Sequence, residues 1–536
     1  MSNVNAAAAK TLIEEGKTAL GLEFGSTRIK AVLIAPDGTV LASGGHDWHD
    51  NLLDGVWTYS MNAVHEGLCD CYLKMKEDVK TQYGITLRRI GALGMSAMMH
   101  GYLAFDKDMN LLVPFRTWRN TITGPAAAEL TDLFQFNIPQ RWSIAHLHQA
   151  ILNGEEHVQD IAFFTTLAGY ATYLLTGEKV IGIGDAAGMF PIDSTTLTYD
   201  DHMLDLYSEH IARYGYPWSI RDILPKVLLA GEKAGTLTQQ GALALDPSGD
   251  LLPGSLVCPP EGDAGTGMVA TDSVAMRTGN VSAGTSVFAM VVLEKALSKL
   301  HTEIDMVTTP TGLPVAMVHC NTCTSDINAW ASLFKDFAKA AGMEMSNDQL
   351  YTLLFQAALQ GEKSGGQLTA YNYYSGEPIT GTDAGVPLFT RRPDAPMTLS
   401  NFMRVQIYSA LATLAIGMKI LTRDEHVTID KILGHGGLFK TPVTGQSILA
   451  AAIQSPVTVL GTASEGGPWG MALLAQYMVD KKDQETLESY LDSHIFSGMP
   501  SQTLQPSPED ILGFDTYLER YAACLDAEKA ATRAMM

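Results

Sequence analysis

Cysteine, basic side chains and long apolar runs are all scarce in this sequence. Six cysteines, unevenly placed along 536 residues, are too few for a disulfide framework and fit a reducing compartment. Cys320-Asn-Thr-Cys323 is the one pair with metal or redox spacing, but only His319 is adjacent, so a structural role is expected. Against 58 acidic residues stand 36 Lys and Arg, a formal charge of -22. That field repels nucleic-acid phosphates and anionic membrane surfaces, so neither is an expected partner. A phosphorylated ligand would need backbone N–H groups or a metal ion to offset it. No stretch approaches the roughly 18 uninterrupted apolar residues of a membrane span, because Arg404, Gln406 and Lys419 break the most apolar helix-like segment. The first residues, MSNVNAAAAKTLIEEGK, lack a basic start and an apolar core, so no secretion signal is expected and the location is read as cytoplasmic.

What is present is an ordinary globular composition, 46% hydrophobic and 18% charged, on a chain too long for one core. Two large domains are expected. After a polar leader at 1–17, TALGLEFGSTRIKAVLIAPDGTVLASG reads as a three-stranded meander with Gly and Asp-Gly turns. Helical spacing follows at 61–83, 125–135, 161–176 and 200–214, and RIGALGMSA reads as a short buried strand. A second meander, MRTGNVSAGTSVFAMVVLE, places Gly284-Thr285-Ser286 between apolar runs as the first places Gly25-Ser26-Thr27. This degenerate repeat predicts two domains of related fold, with a boundary near 274. The second half carries helical patterns at 325–342, 347–360 and 399–422, then two successive strand, glycine-turn, helix units at Gly434-His-Gly-Gly437 and Glu465-Gly466-Gly467. From 505 to 536 a tail with one amphipathic helix is expected.

In each short Gly-hydroxyl loop, the glycine lets backbone approach a phosphate while hydroxyls and N–H groups donate to it. Between the loops, Asp263 follows a strand end and precedes small residues, a place suited to a general base that takes a proton from an alcohol. The bland alternative for Asp263 is helix capping. The glycine turns do not fit the dinucleotide pattern G-x-G-x-x-G with its downstream acid, so a Rossmann dehydrogenase is unsupported. Polar groups able to bind sugar hydroxyls lie at Met99-His100-Gly101, Trp118-Arg119-Asn120 and Asp185-Ala-Ala-Gly188. His46-Asp-Trp-His49-Asp reads as a solvated loop rather than a metal site.

From about Thr18 to Tyr477 these segments together resemble the FGGY carbohydrate kinases, a branch of the actin-like ATPase superfamily. The family's "MHG" matches Met99-His100-Gly101, its "TGE" then "DAAG" match Thr176-Gly177-Glu178 and Asp185-Ala-Ala-Gly188, and "GDNAAGA" corresponds to Gly262-Asp263-Ala-Gly-Thr-Gly-Met268. "GTS" is met by Gly284-Thr285-Ser286 and the adenosine element "GGGA" by Gly434-His-Gly-Gly437. The chain departs from the family where an Asp is usual but Glu23 stands, where "WND" becomes Trp118-Arg119-Asn120, and where Pro378-Ile follows Ser375-Gly376-Glu377.

The resemblance implies an α/β fold of two actin-like ATPase (RNase H-like) domains with the active site in the cleft between them. It implies a domain at 18–274 on the sugar side, a domain at 275–504 on the nucleotide side, and ATP and Mg2+ as cofactors. Asp263 would be the base, and Met99, His100, Gly101, Trp118, Asn120, Asp185 and Asp263 the sugar side. Gly25, Ser26, Thr27, Lys30, Gly284, Thr285, Ser286, Gly436 and Gly437 would hold the nucleotide, with Glu23 and Asp263 toward the metal. The implied reaction is transfer of the ATP γ-phosphate to a primary hydroxyl of a ketopentose, nearest to the D-xylulose branch. L-ribulose or a sugar acid stay open as acceptors, as does an actin- or Hsp70-like ATPase switch without a small substrate. A homodimer is common in the family.

Overall fold

The computed structural model describes residues 5–461 and 466–536. The chain folds into two compact units, the first made of Met1–Val274, Met306–Val315 and Ser464–Gly498, the second of Ala275–Asp305, Ala316–Ala463 and Met499–Met536. The division is not linear in sequence, since two short stretches return to the first unit.

In the first unit the sheet runs in the order Gly235–Thr236, Leu256–Val257, Ala92–Ala97, Ala19–Phe24, Arg28–Ile34, Val40–Asp47. Ala19–Phe24 pairs antiparallel with Arg28–Ile34 and parallel with Ala92–Ala97. Both central strands are buried at every residue, as expected of parallel strands covered on both faces. The helix Met61–Tyr83 covers one face through Val64, Leu68, Cys71, Tyr72, Met75 and Val79, spaced to share one stripe. Ser60 caps its start by accepting from the Ala63 N–H, and Gly84, at φ +68°, ends it. The helix lies close against the strand Val40–Asp47 because Gly44 has no side chain, and a Cβ there would meet the Cys71 carbonyl and, at 2.6 Å, the Met75 N. Truncating Met75, fully buried in this contact, would cost about 2–5 kcal/mol.

The second unit repeats the arrangement. Thr278–Ala283 pairs antiparallel with Val287–Val292 and parallel with Lys431–His435. The sheet continues through Val457–Leu460 and Ser501–Leu504 on one side and Pro314–Cys320 on the other. The helix Leu399–Lys419 is buried along almost its whole length. The segment it opens, Leu399–Asp424, is the one described helix long and apolar enough to cross a bilayer, with 78% of its apolar window buried inside the protein. Arg404 is tolerated within it because its guanidinium donates to the Ala358 and Leu359 carbonyls, which close the helix Asn347–Leu359, and to the Tyr408 hydroxyl.

Some local expectations need correction. The stretch 161–176 is not one helix: Phe163–Thr165 is a strand paired with Leu103–Phe105, and the helix Leu167–Thr176 starts only after Thr166, which caps it. The tail holds two helices, Pro508–Ala523 and Leu525–Met535, divided at Cys524. Part of the polar leader forms the helix Ala6–Glu14, with Ala9 and Ile13 in the core. Gly436-Gly437 opens a short 3-10 turn, Gly437–Phe439, and the α-helix begins later, at Thr444. Glu465, expected in a glycine turn, lies outside the described residues.

Candidate active site

Three neighbouring strands of the first unit end in register, with Phe24 beside Ala97 and Ala97 beside Gly262. The loops that follow therefore leave from one edge, the carboxyl ends of parallel strands, where open α/β sheets bind ligands. Those loops carry Gly25-Ser26-Thr27, Met99-His100-Gly101 and Asp263.

The first loop is a tight hairpin. Gly25 N–H donates to the Arg28 carbonyl, and a Cβ at Gly25 would lie 2.9 Å from that oxygen. Its carbonyls are held from behind: Trp48 Nε1 donates to Gly25 O at 2.7 Å, Tyr59 OH to Ser26 O at 2.6 Å, and Trp48 N to Thr27 O at 3.1 Å. Ser26 and Thr27 are left exposed. Trp48, within a segment read as a solvated loop, is itself buried and stacked on Tyr59.

Asp263 is the first residue of the helix Asp263–Ala270 and its side chain stays solvent-accessible. Oδ1 accepts from the Met99 N–H at 3.2 Å. The surrounding protein displaces bulk water and pushes its carboxyl up to about 6, against the pull of N–H groups at Met99, Ala264 and its own residue. The helix N-cap is Gly262, which makes no side-chain cap bond.

Further carboxyls lie near it. Glu23 is buried; desolvation pushes it up to about 7, with Lys30 lowering and the Asp263 charge raising it. Lys30 Nζ lies 3.9 Å from Glu23 Oε1. Asp185 is buried and pushed up to about 7, again by desolvation, eased by Thr166 and raised by Asp263. Thr166 Oγ1 donates to Asp185 Oδ2 at 2.6 Å, while Oδ1 has no protein partner among the described residues. Glu261, absent from the sequence-based site, is also buried; desolvation and the Asp185 charge drive it well above the carboxylate range. Gly182 and Gly184 make room for it, since a Cβ at either would meet its carboxyl. The signal was an acid two residues before the base, hidden in the run Pro-Pro-Glu-Gly.

On the expected sugar side, the His100 ring is buried and sits on backbone at φ +68°, followed by Gly101 at φ +89°. Its Nδ1 donates to the Gly188 carbonyl at 3.2 Å, and Arg141 Nε donates to its Nε2 at 3.2 Å. A Cβ at Gly188 would strike the His100 ring, so the "MHG" and "DAAG" segments are one packed unit. Both ring nitrogens are thus engaged within the protein. Asn120 is engaged too: its Oδ1 accepts from Trp57 N, and its Nδ2 donates to the carbonyls of Trp57 and Thr117. It therefore ties its own loop to the strand Val56–Thr58. Trp118 is exposed, and Arg119 lies 3.9 Å over the Trp57 ring and pairs with Asp50 at 2.8 Å.

In the second unit, Gly284-Thr285-Ser286 turns between Thr278–Ala283 and Val287–Val292, with Thr285 exposed. Cys323 N donates to Thr285 O, and Thr324 donates to Gly284 O through both N and Oγ1. The Cys320 and Cys323 thiols are free and buried, and burial raises both, so this pair backs a loop rather than a metal. Gly436, at φ +102° and exposed, packs so closely on Ala283 that a Cβ would collide with its backbone. Gly284 and Gly436-Gly437 are thereby brought to one end of this sheet.

The residues fit ATP and a hard divalent cation. Among the described residues a Cβ at Gly284 would meet no atom within 4 Å, which leaves room for a phosphate at that loop, and Ser26, Thr27 and Thr285 are exposed hydroxyls. Glu23 and Asp263 are oxygen donors whose mutual repulsion a cation would relieve.

A carboxylate at a strand end beside one hydroxyl loop, and a matching hairpin loop in a second unit of the same topology, define a phosphotransferase of the actin-like ATPase type. The sequence patterns of the FGGY family of carbohydrate kinases match the chain at residues 18–246 for the N-terminal domain and 279–479 for the C-terminal domain. The chain belongs to that family, and is an ATP-dependent sugar kinase. A xylulose kinase of Klebsiella pneumoniae is 22% identical over 379 residues, spanning 67% of this chain and 69% of that one. Among solved structures, a ligand-bound xylulose kinase of Lactobacillus acidophilus superposes with a TM-score of 0.77 at 15% identity, covering 97% of this chain and 100% of the other. A gluconate kinase of the same organism gives 0.78 at 16%, covering 97% and 99%. These likenesses concern the fold.

Proposed function

We propose that the acceptor is a ketopentose, D-xylulose in the first place, phosphorylated at a primary hydroxyl. The observation that carries phosphoryl transfer to an alcohol is Asp263: an accessible carboxylate at a strand end, oriented by Met99 N–H, with its pKa raised to about 6. A base in that range is ionised at neutral pH yet still takes a proton as the alcohol oxygen attacks. The acceptor O–H bond breaks with its proton passing to an Asp263 oxygen, the new P–O bond forms, and the bond from the γ-phosphorus to the ADP oxygen breaks. Gly25, Ser26, Thr27 and Lys30 in the first unit, and Gly284, Thr285, Ser286, Gly436 and Gly437 in the second, hold the nucleotide. Magnesium, when bound at Glu23 and Asp263, supplies charge neutralisation for the phosphates. Asp185, with its unpaired Oδ1, and Met99 serve the sugar, while His100, Gly101 and Asn120 fix the loops around it and Trp118 offers an aromatic face.

The block 18–274 carries the sugar side and the first phosphate loop, and the block 275–504 the rest of the nucleotide side. The similarity to the Klebsiella pneumoniae enzyme supports D-xylulose. A sugar acid is the second candidate, favoured by the cation Arg119 where the family's "WND" has an amide, and by the amide Asn120 where it has the acid. A cytoplasmic location and a homodimer complete the proposal. ADP release measured across ketopentoses, aldoses, polyols and sugar acids tests it. D-xylulose should give the highest kcat/KM; a higher value for a sugar acid assigns Arg119 to its carboxylate, and sugar-independent ADP release overturns the kinase role in favour of a switch.

A further inference from the structure

Away from the strand-end carboxyls, three helices of the first unit, Gly124–Phe134, Ser143–Leu152 and Asp201–Ile211, bring together Glu129, His148 and His210. His210 Nε2 lies 2.7 Å from Glu129 Oε1 and His148 Nε2 lies 3.6 Å from Glu129 Oε2. One ligand atom from each side chain falls within 4.8 Å of the other two. His148 is the telling member. It is wholly buried, and among the described residues neither ring nitrogen has a hydrogen-bond partner. Such a group is costly in a folded protein and calls for an explanation, an unplaced ion among them. Its ring stands edge-on to Tyr207 and tilted to His210, so Nε2 is left for Glu129 and its surroundings.

Protonation already suits a metal. Burial pushes His148 down to about 4, so its ring is neutral. Burial alone would raise Glu129, but the His210 hydrogen bond holds it below the usual range. Two imidazole nitrogens and a carboxylate oxygen form a donor set for zinc and its neighbours rather than for magnesium. Metal bonds of about 2.0–2.2 Å set the donor atoms of a tetrahedral site roughly 3.3–3.6 Å apart, so His210 and Glu129, at 2.7 Å, would part slightly while the wider pairs draw in, all within reach of side-chain rotation. Arg213, 3.7 Å from Glu129 and largely exposed, also donates to the Tyr214 hydroxyl at 3.2 Å, a contact on the solvent side of the cluster that does not use Glu129.

We propose that Glu129, His148 and His210 bind one divalent transition-metal ion of the zinc class, with water completing the shell, and that the ion staples the three helices. The helix Ser143–Leu152 also docks by its first N–H groups onto the carbonyls of Gly188 and Met189, beside His100. Metal occupancy therefore braces the acceptor-side loops from behind.

The test uses the full chain, stripped with chelator and titrated with zinc chloride in the absence of nucleotide. Calorimetry should show one equivalent bound in the micromolar range or tighter, and cobalt substitution should give visible d–d bands. Zinc should raise the melting temperature, as ligand linkage requires. His210→Ala and Glu129→Gln, both at part-exposed positions and so expected to fold, should each weaken zinc binding at least tenfold. His148→Gln should abolish it. Binding no tighter than millimolar overturns the proposal. So does zinc binding that survives in the His210→Ala and Glu129→Gln variants, or that disappears on alkylating the cysteines.

Discussion

Two residues before the glycine of the first loop stands Glu23, buried and resisting ionisation; at the same place before the second loop stands Ser282, uncharged. The backbones are otherwise alike: an antiparallel hairpin with a parallel strand on its other side. The first unit crowds Glu23, Asp185, Glu261 and Asp263 around its strand ends, whereas the second backs its loop with N–H groups of Cys323 and Thr324 and the Thr324 hydroxyl, which donate to the loop's carbonyls. One fold thus serves two ends. On the proposed reading, the acidic unit supplies the proton acceptor beside its own phosphate loop, and the neutral loop meets phosphate without opposing its charge.

The sharpest way to break this comparison is Asp263→Asn. Turnover should fall by about 10²–10⁴, the usual share of a general base, with ATP affinity changed only a few-fold. In the parent, the kcat/KM for sugar should rise through about pH 6 and level off above it, because only the ionised carboxylate accepts the proton. A variant retaining more than about a hundredth of the rate removes Asp263 from that role.

Next in size, Gly284→Val should weaken ATP binding about tenfold, worth ~1.4 kcal/mol, while sugar binding holds. Isothermal titration of a folded variant reads this directly; equal losses for both ligands would mean the second loop is not specialised. Gly436→Val is a poorer probe, since its left-handed backbone and contact with Ala283 make it a folding lesion as well.

His100→Ala should raise the sugar KM several-fold and leave the ATP KM unchanged. Because both ring nitrogens are used by Gly188 and Arg141, the melting temperature should also drop by a few degrees. A lower melting temperature with normal sugar binding would make the residue wholly structural.

The smallest effect concerns stability. Asp185, raised in the folded state to about 7 from an ordinary value near 4, binds protons more tightly folded than unfolded. Its contribution is present at low pH and is lost as pH rises from about 4 to 7. Asp185→Asn should therefore melt a few degrees higher than the parent at pH 7.5 and gain nothing at pH 4. An equal shift at both would point to packing instead.

Much of this was legible in the sequence where a local pattern carries the physics. The paired Gly-hydroxyl turns, the buried RIGALGMSA strand and the helix at 61–83 follow from period and turn chemistry alone. Tertiary pairing overrode pattern at Phe163–Thr165, whose apolar residues serve a strand as well as they would a helix. The strand-end position of Asp263 was readable, but the buried Glu261 was not, because burial of an acid depends on glycines at 182 and 184, far off in sequence. Trp48 hid for the same reason: nothing beside it announces that its indole closes on Gly25. Nor could spacing reveal that Asn120 turns its amide onto Trp57.

The crowding between Glu23 and Gly467 has an evolutionary consequence. Gly467 belongs to the helix Gly466–Asp480, and a Cβ placed on it would run into the Glu23 carboxyl. Two positions far apart in sequence are thus coupled in size, so substitutions there should show epistasis. Gly467→Ala alone should cripple the enzyme, Glu23→Asp alone should be milder, and the pair together should recover part of the activity that Gly467→Ala loses, because the shorter acid withdraws by one methylene from the new methyl group. A double-mutant cycle on kcat with no rescue would show that the two positions tolerate change independently. If the rescue holds, the longer acid in this chain could have become fixed only in a background that already carried glycine at 467.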